Sequence, residues 1–315
     1  MQPTGSLHLG NYLGALKQWV DLQNEHSCIF CIVDYHAMTI DYQPKEMPNQ
    51  IKELALDWLS AGIDPKKSII FVQSQVPEHT ELAWIFNTIT PLGELERMTQ
   101  FKEKSAQHKK NVNAGLFTYP ILQAADILLY KADRVPVGED QVQHVELTRD
   151  IAKAFNRKFG KTLPEPKPIL TKAARIMSTS DPAKKMSKSL GDKHYIALTD
   201  SADVIRKKIK SAVTDTSGGA HAPGVKNLFA ILEAFDQDAA KGFRMEQKSG
   251  SLKYSDLKDV AANTIIGHLE PIQQKRKELE AKKEEVAEIL IEGADQARKI
   301  AQKTMEQVRE KIGVR

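Results

Sequence analysis

The chain has 315 residues, of which 41% are hydrophobic and 27% are charged, a composition that excludes an intrinsically disordered chain and is typical of globular proteins. No apolar run approaches the ~20 residues that a bilayer crossing requires, and no basic-then-apolar leader follows Met1, so we expect neither a membrane anchor nor an export signal. The net charge of +4 permits an anionic partner but does not by itself identify a nucleic-acid-binding domain.

The first half alternates short β-branched runs with longer helix-periodic segments. In chain order the pattern predicts a helix over 9–23, a strand over 28–34, a helix over 45–61, a strand over 68–74, a helix opening at 76–78, a helix over 115–131 interrupted near Pro120, a strand over 133–138 and a helix over 141–155. Strands that alternate with crossover helices form parallel sheets. The expected fold is therefore α/β, with a Rossmann-type doubly wound parallel sheet.

The second half has a different pattern. From about residue 202 onward nearly all of the sequence is helix-periodic and rich in Lys, Glu, Ala and Leu, which predicts an all-helical C-terminal domain. We expect Gly293 to separate two helices there. Two domains also fit the length of the chain.

The two cysteines of the chain, Cys28 and Cys31, lie within one predicted strand. Residues three apart on a strand point to opposite faces, and no second cysteine pair completes a tetrahedral zinc site. We therefore predict two core residues and no protein-bound metal. The lack of a disulfide framework favours a reducing compartment, and we expect the cytoplasm.

A glycine-containing loop, Pro3–Asn11, precedes the first amphipathic helix. Its backbone N–H groups and the positive helix end predict an anion site, to which His8 and Asn11 add side-chain groups, although a plain helix cap is the simpler alternative. A second loop, Lys184–Ser189, follows the turn signal Asp181-Pro182 and concentrates lysines and hydroxyls that can neutralise a triphosphate. In isolation, such a loop is usually solvated surface.

Together, His8-Leu9-Gly10-Asn11 and Lys185-Met186-Ser187-Lys188-Ser189 resemble the two signature sequences of class I aminoacyl-tRNA synthetases, called HIGH and KMSKS. The first is altered here and the second is complete. Segments along the whole chain resemble the tryptophanyl-tRNA synthetase family, namely 2–5, 31–34, 93–102, 124–130, 135–141 and 212–215.

The resemblance implies a Rossmann-type catalytic domain over 1–189, with a dimer-forming insertion at about 88–115. It implies a helical domain over 190–315 that reads the anticodon and whose last helix can pack back on the catalytic domain. The implied activity joins L-tryptophan to tRNA(Trp) in two in-line steps that use ATP with Mg²⁺ and need no protein nucleophile. A homodimer is the implied assembly.

The resemblance also implies individual roles. His8, Lys185 and Lys188 are the expected catalytic residues, with His8 on the ATP phosphates and the lysines on the negative charge that develops on pyrophosphate. The other residues expected to bind ATP are Gln2, Pro3, Thr4, Gly10, Asn11, Gly138, Glu139, Asp140, Ile176, Met186, Ser187 and Ser189.

The chemistry of the tryptophan side chain also indicates which residue its binding pocket needs. Indole offers one donor, its ring N–H, and a carboxylate in an apolar pocket would accept that bond and reject side chains that lack it. Asp126 lies on an otherwise apolar helix and occupies the family position for this role; a surface aspartate is the alternative. Tyr119 and Gln141, with Asp140, match positions near the substrate amino group and ribose. Gln123 and His36 complete the predicted tryptophan-binding residues, and for His36 a structural role is nearly as well supported.

Two alternatives to this function remain. The spacing Tyr119-x-x-x-Gln123-x-x-Asp126 also occurs in tyrosyl-tRNA synthetases, although Gly138-Glu139-Asp140-Gln141 argues against tyrosine. A catalytically inactive tRNA-binding relative is opposed by the intact loop at 185–189. Family members also carry a first strand ahead of Gln2, and we expect this chain to be less stable and less active without one.

Overall fold

The computed structural model describes residues 1–99, 112–170, 175–214 and 222–314. The helical turns Leu9–Asn11, Tyr12–Leu16 and Lys17–Leu22 follow one another directly and form helix α1. The other helices are α2 (Asp34–Ala37), α3 (Met47–Ala61), α4 (Glu78–Asn87), α5 (Leu92–Glu96), α6 (Ala114–Leu128), α7 (Val142–Phe159), α8 (Ala202–Lys210), α9 (Pro223–Phe235), α10 (Gln237–Ser249), α11 (Tyr254–Glu280) and α12 (Lys283–Ile312). The strands are β1 (Cys28–Ile32), β2 (Ser68–Val72), β3 (Arg134–Val137) and β4 (Lys167–Leu170).

Local sequence explains where these helices begin and end. Ser201 and Asn113 cap α8 and α6 with their side chains, and Pro48 stands in the first turn of α3, where a missing N–H has no consequence. Helix α3 ends at Gly62, whose φ of +114° is a left-handed conformation that favours glycine. The predicted elements of the first half are all present, with ends shifted by a few residues.

The strands pair in parallel, as predicted. β1 lies beside β2 with Cys28 opposite Ser68, and β3 lies beside β4 with Arg134 opposite Lys167. Among the described residues the two pairs are not joined by strand pairing, so the predicted continuous sheet is present as two parallel pairs. On the edge of β1 away from β2, the Met1 nitrogen donates to the Cys31 carbonyl at 2.7 Å and the Met1 carbonyl accepts from Val33 at 3.0 Å.

Two apolar clusters cover opposite faces of the β1–β2 pair. The first contains Phe30 and Ile70 from the strands and continues into α9 and α11. The second contains Phe71 and is built with α4, α6 and α7. Because the first cluster also includes residues of α1 and of the loop at 185–189, one core joins the first half of the chain to the helices of the second half.

Helix α12 contributes to both clusters. Its first turns bring Val286 and Leu290 to the first cluster, and its later turns bring Ala297 and Met305 to the second. The predicted break at Gly293 is wrong, because α12 runs through this residue. A side chain there would place its Cβ 1.9 Å from the Ile70 carbonyl oxygen, so the glycine permits close packing of α12 on β2.

The structure contradicts the expected interruption of α6 at Pro120 and confirms the expected orientation of the two cysteines. Helix α6 continues through Pro120 rather than being interrupted, since packing of its buried face outweighs the loss of one helical hydrogen bond. Cys28 packs against the first apolar cluster and Cys31 against the second, which confirms that they point to opposite faces. Burial raises the pKa of both thiols.

The part of the chain at 100–111, which holds 12 of the 28 residues of the predicted dimer-forming insertion at 88–115, lies outside the described residues. Among the described helices, none has the length and apolar character needed to cross a membrane.

Candidate active site

The loop ahead of α1 is fixed by a reciprocal cap. The Nδ1 atom of His8 accepts a hydrogen bond from the Asn11 backbone at 3.3 Å, and the Asn11 side chain accepts one from the His8 backbone at 3.1 Å. The loop is also paired with the segment around Ala197, since Leu9 donates to the Ile196 carbonyl at 2.8 Å. The predicted helix cap and the predicted anion site therefore use the same residues, and they do not exclude each other.

His8 is held neutral in this environment. Its side chain is buried, and burial together with the nearby charge of Lys188 lowers its pKa to about 4. Burial disfavours positive charge at this site, and the positive charge becomes more favourable when an anion enters. Gly10 lies directly beside the imidazole, because a Cβ on Gly10 would come within 3.0 Å of the ring.

Lys188 joins the two signature loops. Its Nζ atom donates to the Thr4 carbonyl at 2.7 Å and to the Ser6 carbonyl at 2.8 Å. Burial lowers the pKa of the ammonium group, and its hydrogen-bonding partners are neutral carbonyls. The lysine thus supplies positive charge at the opening of the loop that ends in His8.

The rest of the 185–189 loop is anchored by its apolar member. Met186 and Ile176 are both buried, and the Met186 backbone donates to the Ile176 carbonyl at 3.1 Å. The hydroxyls of Ser187 and Ser189 are 2.9 Å apart. Lys185 is exposed, and its main chain forms a bridge with Met177.

Asp126 is the centre of a dense hydrogen-bonded group, which we call the Asp126 cluster: Asp126, His36, Gln73, His79 and Tyr130. His36 Nε2 lies 2.8 Å from Oδ2 of the carboxylate, whereas Gln73 Nε2 and His79 Nδ1 both lie 2.6 Å from Oδ1. His79 and Gln73 are completely buried. A surface aspartate is therefore excluded.

The charges of the cluster follow from these contacts. Burial opposes ionisation of Asp126, but the hydrogen bonds and charges of His36 and His79 outweigh it and hold the pKa of the carboxyl well below its usual range. His79 Nε2 lies 2.7 Å from the Tyr130 hydroxyl, and burial raises the pKa of that phenol. Tyr130 remains protonated, and because an ionised carboxylate can only accept hydrogen bonds, Nδ1 of His79 donates to Asp126.

Tyr119 and Gln2 connect this cluster to its surroundings. The Tyr119 ring packs edge-on against His36 with centroids 6.2 Å apart, and its hydroxyl lies 2.8 Å from His144 Nε2. Gln2 Nε2 donates to the His36 carbonyl at 3.2 Å, so the segment that enters the His8 loop also contacts the Asp126 cluster. The structure thus brings Tyr119, His36 and Gln2 together around Asp126. Pro3 is buried between Gln2 and Thr4.

The remaining predicted residues lie around this arrangement. Gln123 is one turn from Asp126 on α6 and is half-buried. Gln141 donates to Asp140 at 3.2 Å, and Asp140 packs so closely on Gly138 that a Cβ there would lie 2.8 Å from its Oδ1 atom. Glu139 is exposed. Among the described residues, neither Gln123 nor Gln141 is hydrogen-bonded to Asp126 or His36.

The sequence did not predict that His79, Gln73 and Tyr130 belong to the Asp126 cluster. The only available signal was a histidine on the apolar face of α4, at the spacing of Leu82 and Phe86, which is more often a core residue. It also missed Asp57, which is buried on α3 and accepts a hydrogen bond from the Leu7 backbone at 2.7 Å. Burial raises the pKa of Asp57 to about 6, although Arg276 opposes the shift.

Within the described ranges no three His, Cys, Asp or Glu side chains are grouped so as to hold a metal ion. The loops 2–11 and 184–189 contain no Asp or Glu, so cationic and hydroxyl side chains dominate there.

The family described as tRNA synthetases class I (W and Y) matches residues 1–305, almost the whole chain. The chain belongs to this family. The tryptophan–tRNA ligase of Wolinella succinogenes is 48% identical over 100% of this chain and 97% of its own length. A tryptophanyl-tRNA synthetase of Campylobacter jejuni, solved with ADP and tryptophan, is 38% identical with a TM-score of 0.86, covering 100% of this chain and 98% of that chain.

A third structure, tryptophanyl-tRNA synthetase from Mycoplasma pneumoniae, is 35% identical and superimposes with a TM-score of 0.87 over 100% of this chain and 96% of that chain. These relatives place the chain on the tryptophan side of the family.

Proposed function

We propose that this chain is a tryptophan–tRNA ligase, which activates L-tryptophan with ATP and then transfers it to the 3′ end of tRNA(Trp). The observation that carries the proposal is the ionised Asp126, held by His36, Gln73 and His79 beside an apolar helix face. Tyrosine is not favoured, since full-length relatives at 46–48% identity are tryptophan–tRNA ligases.

In the first step, an oxygen of the tryptophan carboxylate attacks the α-phosphorus of ATP. The bond between the α-phosphorus and its bridging oxygen to the β-phosphate breaks, and pyrophosphate leaves with the electron pair. Lys188 and Lys185 would stabilise the charge that grows on the leaving group, while neutral His8 and the N–H groups of the loop contact phosphate oxygens. The protein contributes position and charge rather than a nucleophile.

In the second step, a ribose hydroxyl of the tRNA 3′ end attacks the carbonyl carbon of tryptophanyl-adenylate. AMP leaves with the electron pair of the acyl–phosphate bond, and the hydroxyl proton passes to solvent or to the departing phosphate. The products are tryptophanyl-tRNA and AMP.

Recognition of the side chain follows from how the Asp126 oxygens are occupied. Oδ1 already accepts from Gln73 and His79, whereas Oδ2 accepts only from His36 among the described residues. A carboxylate oxygen has two lone pairs, so the indole N–H would bind to Oδ2. Phenylalanine would leave the second lone pair of Oδ2 without a donor, which is the basis of discrimination.

Nucleotide use is supported by the ADP in the related Campylobacter jejuni structure, and we propose ATP with Mg²⁺ for this chain. Because the two signature loops carry no carboxylate, phosphate oxygens and water would supply most of the Mg²⁺ ligands. When bound, the ion neutralises phosphate charge and thereby complements the lysines.

We further propose that residues 190–315 contact the anticodon. The support is a cavity between α9 and α10 whose rim carries Lys241, Arg244 and Lys248; Arg244 and Lys241 are paired with Glu233 and Asp238, and Lys248 adds a cation suited to phosphate contacts. A homodimer through the 88–115 insertion is proposed because Trp84, just ahead of it, and Leu92, within it, are 71% and 68% exposed. The unoxidised Cys28 and Cys31 support a cytoplasmic location.

The test is exchange of labelled pyrophosphate into ATP with each of the twenty amino acids. We expect strong exchange with tryptophan alone. Faster exchange with tyrosine would overturn the proposed specificity, and no exchange with any amino acid would overturn the activity.

A further inference from the structure

Side chains on successive turns of helix α11 contact the residues that hold the His8 loop in place. His268, Gln273 and Arg276 are spaced along this helix, which belongs to the helical second half of the chain. Each side chain reaches the segment Leu7–Tyr12 or a residue hydrogen-bonded to it. None of the three was singled out by sequence motifs.

The Arg276 contact is the most buried. Arg276 is 5% exposed, and its guanidinium forms ion pairs with Asp57 and Glu53 on α3, and with Glu280 at 2.9 Å. Asp57 is 1% exposed, and its other oxygen accepts the Leu7 backbone N–H at 2.7 Å. Leu7 immediately precedes His8. The position of Arg276 therefore determines the orientation of the carboxylate that holds the loop.

Gln273 supports Leu7 on its carbonyl side, opposite to the N–H that Asp57 binds. Its Nε2 atom donates to the Leu198 and Asp200 carbonyls at 2.8 and 2.9 Å. The Leu198 backbone in turn donates to the Leu7 carbonyl at 3.0 Å. The N–H and the carbonyl of Leu7 are thus each connected to α11 through one intermediate residue, which is Asp57 for the N–H and Leu198 for the carbonyl.

His268 reaches the helix that follows the loop. Its Nε2 atom lies 2.7 Å from the Tyr12 hydroxyl, and its ring packs on Phe235 with centroids 4.6 Å apart. Tyr12 directly follows Asn11, whose side chain completes the reciprocal cap with His8. Helix α11 therefore contacts both ends of the segment from Leu7 to Tyr12.

We propose that Arg276 is a positioning residue for adenylation, and that α11 sets the geometry of the His8 loop through Arg276 and Gln273. This inference rests on the proposed function, because it assigns the loop to ATP phosphates. Loss of Arg276 leaves Asp57 as a buried carboxylate without its cation, so the carboxylate turns or draws in water and the Leu7 amide shifts. Small displacements of groups that contact a transferring phosphoryl group lower the rate strongly.

The test compares Arg276→Met with Arg309→Met. Arg309 is a matched control, because it also joins a C-terminal helix to the first half of the chain, through a bidentate ion pair with Glu81 at 2.7 and 2.5 Å. The measurements are kcat and the KM for ATP in tryptophan-dependent pyrophosphate exchange, the Kd for tryptophan without ATP, and the melting temperature. Arg276→Lys and Gln273→Met, which retain the buried charge, serve if Arg276→Met does not fold.

For Arg276→Met we expect kcat to fall by roughly tenfold to a hundredfold while the tryptophan Kd changes less than about twofold. Arg309→Met should lower the melting temperature with unchanged kcat, and Arg276→Lys should recover part of the rate. Unchanged kcat in Arg276→Met, or in Gln273→Met where Arg276→Met does not fold, would overturn the proposal, and so would equal losses of kcat and tryptophan affinity. Failure of the unaltered chain to exchange would instead reject the proposed function.

Discussion

The two sides of the active site balance charge in opposite ways. At the Asp126 cluster, a buried anion receives hydrogen bonds from His36, Gln73 and His79, and the pKa of the carboxyl is lowered. At the signature loops, His8 and Lys188 are cationic or basic groups whose pKa values are lowered by burial, and the hydrogen-bonding partners of Lys188 are carbonyls.

This difference shows which side of the active site has its charge stabilised before substrate binds. The tryptophan side already stabilises its charge, so it can bind a neutral indole N–H with little rearrangement. On the phosphate side, the described hydrogen-bonding partners of Lys188 are neutral carbonyls, so its positive charge becomes more favourable when phosphates enter. Specificity is therefore expected to depend on the first side, and rate on the second.

The largest effect should come from removing positive charge on the phosphate side. Lys185→Ala and Lys188→Ala should each lower the rate of tryptophan activation by about 10²–10³, with little change in ATP affinity, because the charge acts mainly in the transition state. Lys188→Ala should be the more severe, since it also releases the Thr4 and Ser6 carbonyls. Single-turnover adenylate formation measures the rate.

Lys184→Ala is the control in the same loop, because Lys184 is exposed and pairs with Asp181 at 3.1 Å. If all three alanine variants activate tryptophan at the rate of the unaltered chain, the lysines have no catalytic role.

The next effect concerns stability against pH. His8 titrates near 6.5 when unfolded and at about 4 when folded, so the unfolded state binds the additional proton between these values. Stability is therefore retained above pH 6.5 and lost as the pH falls toward 4, by about 3 kcal/mol at most. Urea unfolding at pH 7 and pH 4.5 should show a smaller loss in His8→Asn than in the exposed His26→Asn. Identical losses would mean that His8 is charged in the folded chain.

Asp126→Asn tests the other side of the comparison. An amide must direct its NH₂ group either at His36 or at Gln73 and His79, all of which are donors. We expect kcat/KM for tryptophan to fall roughly tenfold to a hundredfold, with weaker discrimination against phenylalanine. Asp133→Asn, on an exposed side chain, is the control. A constant ratio of tryptophan to phenylalanine activity would show that the indole N–H binds elsewhere.

The smallest effect is expected from Tyr130→Phe. Removal of the hydroxyl leaves the buried Nε2 atom of His79 without its hydrogen-bonding partner, so the ring that donates to Asp126 is held less firmly. The KM for tryptophan should rise about fivefold with kcat unchanged, which corresponds to one hydrogen bond of roughly 1 kcal/mol. The half-exposed Tyr254 provides the control, Tyr254→Phe. If KM is unchanged, the Tyr130 hydroxyl does not influence substrate binding.

The sequence predicted the elements whose pattern is local. Alternating strands and helices, the cap of α1, and the unusual Asp126 on an apolar helix were all visible in short windows. What could not be predicted depends on contacts between distant segments. His79 and Gln73 meet Asp126 from another part of the chain, and Arg276 lies 219 residues from Asp57. No local pattern indicates such contacts.

The error at Gly293 has the same physical origin. Glycine lowers helix propensity, which favours a break, but close packing on β2 outweighs that local preference. The parallel direction of the β1–β2 pair was predictable, whereas β4 was not among the predicted strands and no local pattern indicated that the two pairs are separate among the described residues.

The contact between Gly293 and Ile70 also constrains the order in which the nascent chain can fold. Strand β2 leaves the ribosome long before α12 is synthesised, and until then the face of β2 that α12 covers is exposed. Contacts of such large sequence separation form late, because a long loop must close before they contribute stability. The second apolar cluster, which includes Phe71 and Met305, is therefore completed only after α12 has emerged, and earlier intermediates are expected to depend on chaperones.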